Sequence, residues 1–158
     1  MVRQAQPGDA DAIAEVHVAA WHAAYRGLMP DARIDAFTLE GRRQRWRQNL
    51  AQGPARTTVF EQGGRVIAFA SVGPSRDEPD SGEIWALYAA PAAWGTGAAR
   101  ALLDQALTYL RQSGFPRTML WVLEGNLRAI RFYQSAGFHL DGGSKQADGL
   151  PHLRMRTA

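Results

Sequence analysis

The sequence contains no cysteine and only one lysine, Lys145. Without cysteine, disulfides, thiolate catalysis, zinc-thiolate sites and iron-sulfur clusters are excluded. No uninterrupted apolar run reaches the roughly 18 residues that suggest a membrane-spanning helix. The first residues, MVRQAQPGDADAI, contain neither the apolar segment nor the small-residue cleavage site of a secretory signal. We therefore expect an untargeted cytoplasmic protein with no membrane partner.

The chain has 158 residues, of which 46% are hydrophobic. This composition supplies a core without disulfides or metals, and the length predicts a single domain over residues 1–158. The 18 basic residues consist of one lysine and 17 arginines, against 15 acidic residues. The high pI of about 9.8 therefore reflects the pKa of arginine more than a large excess of positive charge.

A dense basic cluster surrounds Trp46, and such a cluster with an interleaved aromatic side chain can bind nucleic acid. On a helix, however, its arginines point to more than one side, while Trp46 and Leu50 share a buried side. We therefore expect a solvated helix and no nucleic-acid partner. The cluster consists of Arg42, Arg43, Arg45 and Arg47.

Hydrophobic periodicity and turn residues predict the element order β, α, α, β, β, β, α, β, α, β, β. Early hairpins followed by a βαβ crossover indicate a mixed α+β fold built on one sheet. Residues 141–151 are predicted to be a polar hairpin loop. The predicted strands are residues 2–5, 57–62, 65–73, 83–91, 118–123, 153–157 and one beginning at Phe138.

A glycine-rich turn, WGTGAAR at residues 94–100, joins a strand to an amphipathic helix. Backbone N–H groups at such a turn can bind a phosphate, which the helix dipole also favours. A dinucleotide fingerprint would need glycine where Arg100 stands, and the chain has no Gly-Lys-Ser/Thr of a P-loop. Taken alone, the turn is equally consistent with a plain connection between strand and helix.

A second motif, N-x-x-A-x-x-F-Y-x-x-x-G-F, follows downstream and comprises Asn126, Ala129, Phe132, Tyr133, Gly137 and Phe138. Together with the turn it resembles the GNAT superfamily of N-acetyltransferases. That family's acetyl-CoA site combines Q/R-x-x-G-x-G/A after the fourth strand with an Asn-to-Tyr helix after the fifth. Gly97 and Ala99 match the motif, and Pro91 matches the strand-ending proline, whereas Trp94 replaces the Gln or Arg.

The resemblance implies a twisted, mostly antiparallel sheet flanked by helices, with acetyl-CoA entering where the fourth and fifth strands diverge. It implies acetyl-CoA as cosubstrate and no metal, while monomer and homodimer both stay open. The cofactor-binding residues that it implies are Leu87, Tyr88, Ala89, Trp94, Gly95, Thr96, Gly97, Ala98, Ala99, Arg100, Asn126 and Tyr133.

The implied reaction is direct transfer of acetyl from acetyl-CoA to a primary amine of a small molecule or a peptide or protein N-terminus. Tyr133 is the expected general acid for the leaving CoA thiolate, because a phenol with a pKa near 10 is protonated at neutral pH. Glu83, at the head of the central strand, is the expected general base, acting directly or through a water. The alternatives are a core tyrosine and a solvated strand-start glutamate.

Trp21, Tyr25 and Trp85 are the candidate substrate-binding residues, with aromatic core packing as the alternative. Acidic side chains in three loops favour a cationic acceptor. His17 and His22 do not have the i, i+4 spacing of a helical metal pair. A non-catalytic acyl-CoA-binding or regulatory module is the alternative function. The acidic side chains are Asp31, Asp35, Asp77, Glu78, Asp80 and Asp148.

Overall fold

A computed structural model describes residues 1–157 and contains one seven-stranded sheet in the order β1-β2-β3-β4-β5-β7-β6. All neighbouring strands are antiparallel except β4 and β5. The mixed α+β class and the mostly antiparallel sheet are thereby confirmed. The strands are β1 Val2–Gln4, β2 Arg56–Gln62, β3 Arg65–Pro74, β4 Ser81–Ala89, β5 Arg117–Leu123, β6 Phe138–Ala147 and β7 Leu150–Thr157.

Five α-helices cover the two faces of the sheet. Successive side chains of β4 point to opposite faces, and Leu87 packs with the core next to α4 whereas Tyr88 packs with the core next to α1 and α3. The helices α1 and α4 therefore lie on opposite faces. The helices are α1 Ala10–Tyr25, α2 Asp31–Asp35, α3 Leu39–Gln52, α4 Ala98–Gln112 and α5 Leu127–Ser135.

Strands β4 and β5 form a parallel pair over only three residues, Ser81–Glu83 against Arg117–Met119. On its other side, β4 pairs with β3 up to Ala89, with a bulge at which Trp85 is the extra residue. A bulge bends its strand and increases its twist. Beyond Glu83 the two strands diverge, and the edges that face each other have no strand partner.

The basic cluster of α3 divides its arginines among different contacts. Trp46 is buried and Leu50 is half-buried, in agreement with the predicted helix. Arg43 pairs with Glu15 and Glu40, and Arg47 pairs with Asp11. Arg42 instead stacks on the ring of Phe37. The four side chains do not form one free basic surface.

The prediction of a loop over residues 141–151 is wrong. Strand β6 continues to Ala147, with an irregular register between Leu140 and Ser144, and pairs with β7. The carboxylate of Asp141 binds Arg154 at 2.8 Å, which holds these polar residues in the sheet. The turn is only Asp148 and Gly149, both with positive φ, as a two-residue hairpin requires.

No helix within residues 1–157 combines the length and the apolar character needed to cross a membrane.

Candidate active site

A cleft of about 1340 Å³ follows the gap between β4 and β5. It passes from the face that carries α4 and α5 to the face that carries α1 and α3, because both helix pairs contribute lining residues. We call the first side the cofactor side and the second the acceptor side. Strand β5 shows the same division: Leu120 packs with the α4 core, and Leu123 packs with Met29 and Ile34 on the acceptor side.

The cofactor side is bounded by the N-terminus of α4. Gly97 is the N-cap with φ +91°, a conformation that favours glycine. The first N–H groups of a helix have no intrahelical acceptor, and glycine has no side chain that could cap one of them. The N–H groups of Gly97, Ala98, Ala99 and Arg100 accordingly find no acceptor within residues 1–157. A Cβ on Gly97 would meet nothing within 4 Å. Four unpaired donors beside open space fit the diphosphate of CoA.

Trp94, the departure from the family motif, joins the two walls of the gap. Its indole N–H donates to the carbonyl of Ala89, the last residue of β4, at 2.9 Å. The guanidinium of Arg128, in the first turn of α5, lies 3.6 Å from the centre of the Trp94 ring. The side chain that replaces Gln or Arg therefore holds another cation beside the turn.

Asn126 begins α5 as its N-cap. Its side-chain oxygen accepts from the backbone N–H of Ala129 at 3.3 Å, and the residue is buried at the cleft wall. Such a cap is worth about 1 kcal/mol. The amide N–H₂ of Asn126 is not used by this bond and is a donor beside the cleft.

Three tyrosines lie close together in the lining of the cleft. Tyr133 of α5 is 9% exposed and lines the cleft, while the hydroxyl groups of Tyr25 and Tyr88 lie 3.0 Å apart. Burial, and secondarily the neighbouring Tyr25, raise the pKa of Tyr133 above its usual value, against an opposing effect of Arg128. Burial also raises the pKa of Tyr88 well above its usual value. These phenols are proton donors throughout the neutral range.

Glu83 is 1% exposed, and it does not line the cleft. Its carboxylate accepts from the Arg76 guanidinium at 2.6 Å and from the Arg76 backbone N–H at 3.1 Å. Arg76, which does line the cleft, stacks on Trp85 at 4.9 Å and leaves 57% of its side chain exposed. Arg76 therefore connects the buried Glu83 carboxylate to the cleft lining.

The acceptor side is strongly aromatic. Trp21 and Phe37 stack with ring centres 4.1 Å apart and planes 6° apart, and Tyr25 meets Trp21 edge to face. Trp121 of β5 also lines this cleft, and its indole donates to Asp77 at 2.8 Å. The three aromatic residues predicted for substrate binding, Trp21, Tyr25 and Trp85, all line the cleft.

The prediction of a cationic acceptor rests on six acidic loop residues, and four of them are paired with cations of the chain itself. Asp31 and Asp35 pair with Arg26, and Glu78 pairs with Arg154 and Arg156. Asp77 is bound by Trp121 and by Lys145. Of the six acidic residues, the cleft lining includes only Asp77 and Asp148.

Most residues predicted for cofactor binding line the one cleft, and two do not. Ala98 is buried in the core, and the hydroxyl of Thr96 donates to the carbonyl of Ala93 at 2.6 Å. The backbone of Ala98 still offers its free N–H. The lining residues are Leu87, Tyr88, Ala89, Trp94, Gly95, Gly97, Ala99, Arg100, Asn126 and Tyr133.

Sequence reasoning missed other lining residues. Arg128 lies one helical turn before Phe132, so the spacing of the downstream motif contained a signal for it. Phe37, Arg42 and Trp121 carry no such signal, because only the tertiary structure brings these distant positions to one cleft. No group of three His, Asp or Glu side chains suited to a metal ion occurs among residues 1–157.

Comparisons with known proteins agree with this geometry. Residues 13–138 match the acetyltransferase (GNAT) family. An uncharacterised N-acetyltransferase of Bacillus subtilis is 34% identical over 139 residues, covering 85% of this chain and 77% of its own. A probable N-acetyltransferase of Mycobacterium tuberculosis is 30% identical over 165 residues, covering 98% of this chain and 91% of its own.

The fold is also similar to a solved structure with bound cofactor. The PaiA N-acetyltransferase of Thermoplasma acidophilum, in complex with coenzyme A, has a TM-score of 0.79 and 18% identity, with 99% of this chain and 97% of that chain covered. At this identity the likeness shows the fold. Together with the family match and the two relatives, it places the chain in the GNAT family, as an N-acetyltransferase that uses acetyl-CoA.

Proposed function

We propose that this protein transfers the acetyl group of acetyl-CoA directly to a primary amine of a small molecule or of a peptide or protein N-terminus. In this proposal Tyr133 is the general acid and Glu83 is the general base, and residues 1–158 act as one domain. The observation that carries it is the hydroxyl of Tyr133, which has no hydrogen-bond partner within residues 1–157 and belongs to a residue of the cleft wall.

Cofactor binding uses backbone more than side chains. The free N–H groups of Gly97 to Arg100 hold the diphosphate, and the amide of Asn126 adds a donor. The edge of β4 at Leu87, Tyr88 and Ala89 faces the gap, so its backbone is available to pantetheine and to the thioester carbonyl. Donors fixed before the reaction stabilise the charge that develops on that oxygen.

Tyr133 donates its proton to the departing CoA sulfur. Its raised pKa keeps the phenol protonated throughout the neutral range, so the hydroxyl is available as a proton donor. The ring itself is held by edge-to-face contacts with Phe132 and Phe138, at 5.2 and 5.6 Å between ring centres. The hydroxyl can therefore be removed without removing the packing.

Glu83 accepts the proton of the attacking ammonium through a water, because its carboxylate does not reach the cleft wall. The Glu83 carboxylate pairs with the Arg76 guanidinium at 2.6 Å. Since Arg76 is mostly exposed, its movement can admit a water to the carboxylate.

The unpaired N–H groups of Gly97 to Arg100 predict the effect of Gly97→Glu. A side chain at φ +91° costs roughly 1 to 2 kcal/mol, and the acidic group enters the space proposed for the diphosphate. We expect acetyl-CoA affinity, measured by calorimetry, to fall about tenfold or more, which corresponds to about 1.4 kcal/mol. The matched control is Gly114→Glu at the other end of α4, where φ is +96° and the space is also open.

Both variants should lose similar thermal stability, with the Tm falling by about 2 to 4 °C for each kcal/mol of lost unfolding free energy. Only Gly97→Glu should lose affinity. Equal affinities in the two folded variants would show that the N–H groups of Gly97 to Arg100 do not bind the diphosphate.

Tyr133→Phe should separate chemistry from binding. We expect kcat to fall by about ten to ten thousandfold, the range of general acid-base groups, while the Kd for acetyl-CoA stays nearly constant. The defect should shrink towards pH 10, because CoA then leaves more easily as thiolate. Steady-state and stopped-flow rates across pH 6 to about 10 measure this.

Tyr109→Phe is the matched control, since Tyr109 stacks under Arg56 outside the cleft. An equal loss at every pH would assign Tyr133 a positioning role. Unchanged turnover would show that Tyr133 only packs in the core. CoA binding without any turnover in the parent protein would favour the non-catalytic acyl-CoA-binding module.

Glu83→Gln should lower kcat and abolish the acidic limb of the pH-rate profile, because the amide cannot accept the proton. The Kd for acetyl-CoA should stay unchanged, since Glu83 does not line the cleft. The control is Glu124→Gln, at an exposed position after β5. A Glu83→Gln enzyme with the full parental profile would show that another group removes the proton.

A further inference from the structure

Positive side chains outnumber negative ones along the cleft. Among the described residues, six arginines or lysines and two aspartates line it. Arg100 and Arg128 lie beside the α4 turn on the cofactor side. The other four, Arg33, Arg42, Arg76 and Lys145, are therefore the cations available to an acceptor.

Three of these four cations already have partners. Arg76 is bound to Glu83, Lys145 to Asp77, and Arg33 donates to the backbone carbonyl of Asp148. The side chain of Arg42 makes no hydrogen bond or salt bridge within residues 1–157. It differs in this from Arg43 and Arg47 of the same helix, which pair with carboxylates.

Arg42 is held in place although it is unpaired. Its guanidinium lies 4.6 Å from the centre of the Phe37 ring, which in turn stacks on Trp21. Burial, and secondarily Arg45, lower the pKa of Arg42. A partly desolvated guanidinium with free N–H donors forms strong charge-assisted hydrogen bonds when an anion binds to it.

His17 provides a second donor nearby. The indole N–H of Trp46 donates to Nδ1 of His17 at 3.1 Å, so the neutral ring carries its proton on Nε2. Burial, with a further contribution from Arg42, lowers the pKa of His17 to about 3. At neutral pH this lining residue is a fixed donor and not a base.

We infer that Arg42 selects an acceptor amine that also carries an oxyanion, a carboxylate or a phosphate. This inference rests on the proposed amine acetylation and specifies its substrate class. The guanidinium binds the oxyanion, and Nε2–H of His17 donates to it. The rings of Trp21 and Phe37 contact an apolar skeleton between the anion and the amine. The proposed acceptor therefore carries an anionic group besides its amine, in contrast to the cationic acceptor predicted from the acidic loops.

The test compares an anionic and a neutral acceptor of the same skeleton by CoA release at fixed acetyl-CoA. Because the negative charge raises the pKa of the neighbouring amine, kcat/KM is calculated on the concentration of unprotonated amine. One pair is an aromatic amino acid and its carboxamide, and the other is an aminoalkyl phosphate and the corresponding amino alcohol. The parent enzyme should prefer the anionic member of at least one pair about tenfold to 100-fold in kcat/KM, as expected for a charge-assisted hydrogen bond. The preferred pair distinguishes carboxylate from phosphate.

Arg42→Gln should remove that preference, mainly through KM, and should leave the neutral member's kcat/KM within about twofold. Arg45→Gln, an exposed position three residues along α3, should keep the preference. A parent enzyme that uses both members equally, or an Arg42→Gln enzyme that keeps the preference, would overturn the inference.

A binding measurement separates this inference from the proposed function. Phenylacetate contains the apolar ring and carboxylate without an amine, and phenylacetamide is its neutral match. Phenylacetate should quench the tryptophan fluorescence of the parent protein and of Arg45→Gln, but not of Arg42→Gln, with no response to phenylacetamide. If no amine is acetylated but this pattern holds, the proposed function fails and the anion site stands. If amines are acetylated without discrimination and phenylacetate does not bind, the function stands and the anion site fails.

Discussion

The separation of β4 from β5 creates the cleft and exposes the backbone groups that line it. The strands share a parallel ladder over Ser81–Glu83 and Arg117–Met119 and then diverge, with the Trp85 bulge at the point of departure. A continuous ladder would satisfy both strand edges and would close the sheet. The divergence leaves those edges open and connects the face of α4 with the face of α1.

The opening of the sheet leaves backbone groups without hydrogen-bond partners, and a bound ligand can supply those partners. The glycine N-cap of α4 leaves four N–H groups without acceptors, and the β4 edge adds more backbone groups. Each face of the sheet has its own hydrophobic core. One surrounds Leu103 and Leu120, and the other surrounds Trp46 and Phe69. Stability thus comes from packing on each face, while the gap between them stays accessible and offers unpaired backbone donors.

The sequence predicted best those parts of the site that are local in the chain. The turn at Gly97 and the helix from Asn126 to Tyr133 each place several functional groups within one element, so motif spacing finds them. The partner of Glu83 is Arg76, seven residues away across a loop, and no spacing indicates that pair.

The acceptor side is assembled from distant segments, and periodicity reports only that their aromatic side chains are buried. Arg42 belongs to a cluster that suggested a charged surface, yet the fold turns it towards Phe37 and the cleft. The polar residues after Leu140 suggested a loop because their strand pairing relies on Asp141 and Arg154 instead of apolar side chains. The sequence alone therefore did not predict which charged side chains are partly buried, such as Arg42, and which are paired, such as Asp141 with Arg154.

Amide hydrogen exchange with and without acetyl-CoA measures whether the N-terminus of α4 binds the cosubstrate. If the opening of the sheet exists to bind the cosubstrate, the N–H groups of Gly97, Ala98, Ala99 and Arg100 should gain protection when acetyl-CoA is added. The N–H of Gly114, already bonded to the carbonyl of Arg111 at 3.0 Å, should not change. Saturating acetyl-CoA that leaves all four amides at their free exchange rates would contradict the account.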